Sequence, residues 1–159
     1  MSPDYSGEEL INIAIDIERR GIMFYDVMAL STDDDKTRAI FQGLARMERV
    51  HLATFEQMLD EVEKAPPEED REREGTGYIE SLLDDAVFTD DLITGEVAIQ
   101  ADSDIKAMNL AISAEKDSIL YYYEIRDRLP QSLALLVNRV LSEEKRHLEQ
   151  LTVIKKDME

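Results

Sequence analysis

The chain contains two histidines, and each lies three residues after a glutamate. The pairs are Glu48 with His51 in "MERVHLATF" and Glu144 with His147 in "SEEKRHLEQ". Residues three apart on a helix share a face, so each pair can present a carboxylate and an imidazole to one metal or to two neighbouring metals. These ligand types suit iron, manganese or zinc. One such pair is a weak signal, but two pairs that use both histidines predict a metal site.

The composition excludes several classes of function. The chain has 36 acidic residues against 18 Lys and Arg, a net charge of −18, so we expect no nucleic-acid partner and no binding to anionic membranes. Because there is no cysteine, disulfides, thiolate nucleophiles, iron–sulfur clusters and cysteine-ligated zinc are excluded. The first residues lack the features of a signal peptide, and no apolar run has the length of a membrane span. We therefore expect a cytoplasmic protein.

Four long stretches with apolar residues at helical spacing must position these pairs. They predict helices over 7–31, 34–64, 103–128 and 131–157. The first two helices are joined by a short connection, as are the last two, so each pair should form an antiparallel hairpin. An acidic crossover over about 65–102 joins the hairpins, and "YIESLLDDAVF" within it could form a short helix that covers one end of the bundle. The sequence thus predicts a single all-α domain over 1–159, a ferritin-like four-helix bundle with a long crossover.

The second hairpin repeats the first. "MNLAISAEKDSILYYYEI", from Met108, aligns with "INIAIDIERRGIMFYDVM", from Ile11, and this places Glu18 on Glu115. A shift of one residue then places each Glu-x-x-His pair on the other. The repeat assigns the ligand role on the last helix to Glu144 rather than to its neighbour Glu143.

Each of the four glutamates that the repeat singles out lies at the centre of an apolar stripe, which a bundle must bury. Burying one unpaired carboxylate costs several kcal/mol. Four would exceed the stability of a typical domain, about 5–15 kcal/mol. Two divalent cations would compensate the four charges, and protonated, hydrogen-bonded carboxyls are the alternative for a site without metal. The predicted metal ligands are Glu18, Glu48, His51, Glu115, Glu144 and His147.

Four segments resemble the rubrerythrin-like branch of the ferritin-like superfamily: "AIDIERRGIMFYD", "ARMERVHLATF", "AISAEKDSILYYY" and "LSEEKRHLEQL". The resemblance implies a four-helix bundle that holds two iron ions, although manganese or zinc would also suit the ligands. In such a site Glu48 and Glu144 would bridge the metals, and the two histidines would be terminal nitrogen ligands. The remaining two glutamates would be the ligands from the first and third helices.

Two departures from that family stand out. Rubrerythrins proper carry a further glutamate on the third helix, one turn beyond the first, where this chain has Ser118; the equivalent residue on the first helix is Gly21. They also have a rubredoxin-like iron centre held by four cysteines, which this chain lacks. Electrons would therefore come from a separate donor protein.

The resemblance implies an oxidoreductase that reduces hydrogen peroxide or dioxygen at a carboxylate-bridged di-iron site, in a response to oxidative stress. The alternative is a ferritin-like iron-binding or ferroxidase protein in iron handling. A third reading is an interaction bundle whose site is vestigial. Retention of all six ligands argues against a vestigial site, and the resemblance favours peroxide reduction. The sequence alone does not distinguish that reaction from dioxygen reduction or from oxidation of ferrous iron.

Two further features of the long helices have open interpretations. Tyr25 and Tyr122 follow Glu18 and Glu115 by two turns, and could orient a ligand carboxylate, act as redox-active neighbours or simply pack in the core. A broad apolar face on the first helix could pack on the crossover or form a homodimer interface. That face comprises Leu10, Ile13, Ile17, Phe24 and Met28.

Overall fold

The computed structural model describes residues 5–64, 76–84 and 103–159. These residues form five α-helices: α1 Gly7–Ser31, α2 Asp35–Lys64, α3 Thr76–Asp84, α4 Asp104–Arg128 and α5 Gln131–Met158. The all-α prediction is confirmed, and the four long helices begin and end within one residue of the predicted positions.

Local hydrogen bonds explain where the helices begin. At the start of α1 the Ser6 hydroxyl accepts from the Glu9 backbone, and the Glu9 carboxylate accepts from the Ser6 backbone at 2.7 Å. This reciprocal pair satisfies two amide groups that the first helical turn leaves without partners. Asp34 caps α2 by accepting from the Thr37 backbone at 2.8 Å, and Ser103 caps α4. Side-chain capping therefore explains why α2 begins after the acidic turn and why α4 begins after Ser103.

Two apolar clusters form the core, and on every long helix the predicted ligands lie between them. The first cluster takes the start of α1, the end of α2, the end of α4 and the start of α5, and includes Leu10, Ile11, Phe55, Met58, Tyr121, Ile125, Val137 and Leu141. The second takes the opposite ends of the same helices, and includes Phe24, Met28, Phe41, Leu44, Met108, Ala111 and Leu151. Because the start of α1 shares a cluster with the end of α2, and the end of α4 with the start of α5, both hairpins are antiparallel.

The broad apolar face of α1 is largely covered within the chain. Leu10, Phe24 and Met28 are buried, and the carbonyl of Leu10 accepts a hydrogen bond from Tyr121 of α4 at 3.0 Å. The remaining two residues of that face, Ile13 and Ile17, are half-buried against the core. The homodimer stays a prediction, and these residues already have partners inside one chain.

Part of the predicted crossover helix is described by the structure. The sequence predicted it over 78–88, and α3 begins two residues earlier and ends at Asp84; residues 85–88 lie outside the described residues. Ile79 on α3 is fully buried in the first apolar cluster, and α3 packs against α4. This short helix is therefore part of the core at that end of the bundle.

No helix in the described ranges combines the length and the apolar character of a membrane span.

The docking of α3 can be tested with Ile79→Ala. We expect it to lower the free energy of unfolding by about 2–5 kcal/mol, because it leaves a cavity where a fully buried side chain was. Urea unfolding monitored by circular dichroism measures the change. The matched control on the same helix is Tyr78→Ala, since that side chain is 49 % exposed. Equal, small effects of the two substitutions would show that α3 does not contribute to the core.

Candidate metal centre

The structure brings together the six residues that the sequence proposed as ligands. One glutamate comes from α1 and one from α4, and a Glu-x-x-His pair comes from each of α2 and α5. Each residue is at most 5 % exposed. The set is Glu18, Glu48, His51, Glu115, Glu144 and His147. Their role as metal ligands stays a prediction, which the geometry of the site supports.

One group of possible ligand atoms surrounds His51. Its Nδ1 atom lies 3.2 Å from Glu48 Oε2, 3.2 Å from Glu144 Oε1 and 3.8 Å from Glu18 Oε2. These four residues each offer an atom within 4.8 Å of the others, close enough to hold a metal ion.

A second group surrounds His147. Its Nδ1 atom lies 3.1 Å from Glu144 Oε2, 3.7 Å from Glu48 Oε1 and 4.0 Å from Glu115 Oε1. These four residues also offer atoms within 4.8 Å of one another. The two imidazole rings stack with their centroids 5.6 Å apart.

The two groups share Glu48 and Glu144, and each shared carboxylate divides its oxygens between them. For Glu48, Oε2 faces His51 and Oε1 faces His147. For Glu144, Oε1 faces His51 and Oε2 faces His147. This is the arrangement that a carboxylate bridging two metal ions requires.

Two tyrosine hydroxyls hold the unshared carboxylates, and they do so across the bundle. Tyr25 of α1 donates to Glu115 Oε1 on α4 at 2.5 Å, and Tyr122 of α4 donates to Glu18 Oε1 on α1. Burial, followed by the charge of the carboxyl it contacts, raises the pKa of each tyrosine well above its usual value. Both hydroxyls therefore keep their protons and remain donors.

Burial controls the protonation of the unshared carboxyls. It raises the pKa of Glu18 well above the usual value, and the charge of Glu48 raises it further. Burial and the charge of Glu144 do the same to the pKa of Glu115. Without a cation, burial therefore favours the protonated form of both groups.

Hydrogen bonds between the imidazoles and Glu144 favour the charged forms of His51 and Glu144, against the effect of burial. Burial opposes a charge on His51, but hydrogen bonds to Glu144 and Glu48 outweigh it and raise its pKa to about 11. Burial likewise opposes ionisation of Glu144, but hydrogen bonds from His147 and His51 outweigh it and lower its pKa to about 2. Glu144 is therefore ionised between two imidazoles, as a bridging ligand would need to be.

One buried oxygen lacks a donor and so tests whether a cation fits. As a carboxylate atom, Glu18 Oε2 has no hydrogen-bond partner in the described part of the chain. A proton shared with Glu48 or a cation in the first group would satisfy it. Leaving such an atom unsatisfied costs about 1–3 kcal/mol. The carboxylate and imidazole set matches the ligand preferences of iron, manganese and zinc, and the site therefore fits a divalent cation.

Sequence reasoning gave Glu143 no role, but the structure places it against the site. Its Oε2 atom lies 2.7 Å from Nε2 of His51, on the ring edge opposite the carboxylate group. Its side chain is 31 % exposed. In metal-binding histidines, the N–H group of the second ring nitrogen commonly donates a hydrogen bond to a carboxylate. An acidic residue directly before Glu144 was the available signal.

The rubrerythrin family model matches residues 9–155, a range that includes both hairpins and all six candidate ligands. The chain belongs to the rubrerythrin family. This is a ferritin-like family of di-iron carboxylate proteins, so the ferritin-like part of the fold prediction is also confirmed. The sequence matches no curated protein and no solved structure at a significant level.

Rubrerythrins proper have a further ligand on the third helix, and in this chain a small residue occupies that position on α4. The corresponding position on α1 in the internal repeat also has a small residue. Ser118 and Gly21 are both buried. Neither offers a carboxylate, so this rubrerythrin-family chain has a six-residue set that follows the internal repeat.

The protonation pattern predicts how the stability of chelator-treated protein depends on pH. In the unfolded chain Glu18 and Glu115 ionise near 4.5 and His51 loses its proton near 6.5, whereas the folded protein holds these protons to higher pH, for His51 to about 11. Their stabilisation is complete below the unfolded pKa values and is lost as the pH rises. We expect the melting temperature to fall from about pH 5 to about pH 9.

Neutral substitutions provide the control for that pH series. Glu18→Gln combined with Glu115→Gln should flatten the fall, because these amides do not titrate. Glu144 acts in the opposite direction, and its contribution is lost only as the pH falls from 4.5 towards 2. A melting temperature that rises across the series, or an unchanged slope in the double variant, would contradict the assignment.

The tyrosine hydrogen bonds predict a separate effect on stability. Tyr25→Phe and Tyr122→Phe should each lower the free energy of unfolding of the chelator-treated protein by about 1–3 kcal/mol, because each removes the donor to a buried carboxyl. Chemical unfolding monitored by circular dichroism measures this change. Tyr123→Phe is the matched control on α4, since the Tyr123 ring is only half-buried and contacts the side chains of Arg126 and Lys145. Equal losses in all three variants would show that the two hydroxyls have no special role.

Proposed function

We propose that this chain is a di-iron oxidoreductase that reduces hydrogen peroxide, or dioxygen, with electrons from a separate donor protein. The observation that carries the proposal is the division of the Glu48 and Glu144 oxygens between two ligand groups. A single-metal site has no use for two carboxylates arranged in this way. Membership of a di-iron carboxylate family supports iron as the metal.

Two iron ions, when bound, would supply the two electrons that break the O–O bond. Hydrogen peroxide takes up two electrons and two protons and leaves as two water molecules. Dioxygen takes up four electrons and four protons for the same product, so the donor protein would have to supply the other two electrons. A separate donor protein would restore the electrons, because these 159 residues contain no cysteine to hold a second iron centre of the rubredoxin type.

The protein itself would fix the positions of the ligand carboxylates and exclude water from the site. The two apolar clusters lie on either side of the six residues and limit the access of solvent. Tyr25 and Tyr122 fix the unshared carboxylates by hydrogen bonds from the opposite helix. Fixed ligands in a dry cavity let a metal site change its charge with little rearrangement of its surroundings.

The proposal is tested by anaerobic loading with Fe(II), followed by rapid mixing with hydrogen peroxide or with dioxygen. We expect two iron ions per chain, and faster oxidation by peroxide than by dioxygen. Glu144→Ala and His147→Ala should weaken binding by more than the roughly 10- to 100-fold that the loss of an outer-shell partner costs. Glu149→Ala is the matched control, because it removes an exposed carboxylate from the same helix.

Other outcomes would favour the alternatives. Less than about one metal per chain would favour a vestigial site. Rapid oxidation by dioxygen with retention of the ferric product, in a very large assembly by size-exclusion chromatography, would favour iron handling. A dimer in the same chromatogram would argue against a storage cage.

A further inference from the structure

The contact between Glu143 and His51 decides which ring nitrogen of His51 faces the candidate metal site. Glu143 Oε2 lies 2.7 Å from Nε2, while Nδ1 of the same ring faces Glu48 and Glu144 at 3.2 Å. The Nε2–H group donates to Glu143, so the nitrogen left to bind a cation is Nδ1. A carboxylate on the second nitrogen also raises the basicity of the first and holds the ring in place.

The internal repeat is broken at this outer carboxylate. The alignment that places His51 on His147 places Met47 on Glu143. Met47 is half-buried, and a thioether is at best a weak acceptor. Among the described residues, the contacts of His147 with carboxylates all involve Nδ1. The candidate ligands thus follow the twofold repeat, whereas the support for the histidines does not.

We propose that Glu143 is a positioning residue that makes the two metal positions unequal, so that the position served by His51 binds a divalent cation more tightly than the position served by His147. The proposal deepens the proposed function and rests on it. Loss of an outer-shell partner typically costs 10- to 100-fold in metal affinity. We expect a separation of about that size between the two binding steps.

The test is an anaerobic titration of the full chain with Co(II), followed by its visible absorption and by calorimetry. Wild-type protein should bind in two steps. Glu143→Ala should weaken the tighter step by about 10- to 100-fold and leave the weaker step unchanged. Glu143→Gln keeps an acceptor and should lose less. Glu149→Ala, which removes an exposed carboxylate from the same helix, should change neither step.

A double-mutant cycle assigns the effect to one histidine. The cost of Glu143→Ala should persist in the His147→Gln background and vanish in the His51→Gln background, because Glu143 acts through His51. A purely structural role would reduce binding equally in both backgrounds. Circular dichroism checks the fold of each variant, and Glu143→Gln carries the test if the alanine variant does not fold.

The remaining outcomes separate this inference from the proposed function. Failure of the wild-type chain to bind two metals would overturn both. Two metals bound with equal affinity, or equal weakening of both steps by Glu143→Ala, would overturn the inequality and leave the di-iron proposal intact.

Discussion

The burial of four carboxyl groups between two apolar clusters is the constraint on which the rest of this structure depends. Removing a carboxylate from water costs several kcal/mol, and four such costs rival the stability of a typical domain. The surroundings compensate in different ways. Two imidazoles flank the shared Glu144, and tyrosine hydroxyls donate to the unshared pair. Burial raises the pKa of that pair and so favours its protonated form when no cation is present. The site and the core therefore cannot be considered separately.

Much of this arrangement could be predicted because it is local to single helices. Apolar periodicity and capping residues located the four long helices, and the internal repeat separated Glu144 from its acidic neighbour as the residue facing the cluster. The interactions between helices were not predictable in the same way. Tyr25 and Tyr122 were expected near a ligand carboxylate, yet only the packing of α1 against α4 shows that each serves the opposite helix. Glu143 was missed for the same reason, since its partner is on α2.

The two halves of the internal repeat agree at the candidate metal centre and differ among the residues that surround it. The six central residues and both tyrosines keep the twofold relation. One step further out the two halves diverge, because a carboxylate in one half corresponds to a methionine in the other. A single contact of 2.7 Å therefore distinguishes two groups that are otherwise equivalent in residue type.

The shared carboxylates have a consequence for how the two hairpins associate. The first ligand group takes Glu18, Glu48 and His51 from one hairpin and a single residue from the other, and the second group reverses this ratio. Each hairpin thus holds three of the four candidate ligands of one group, and the other hairpin supplies the fourth. A cation in either group would act as a cross-link between the hairpins, so metal binding and hairpin docking must strengthen each other by the same free energy.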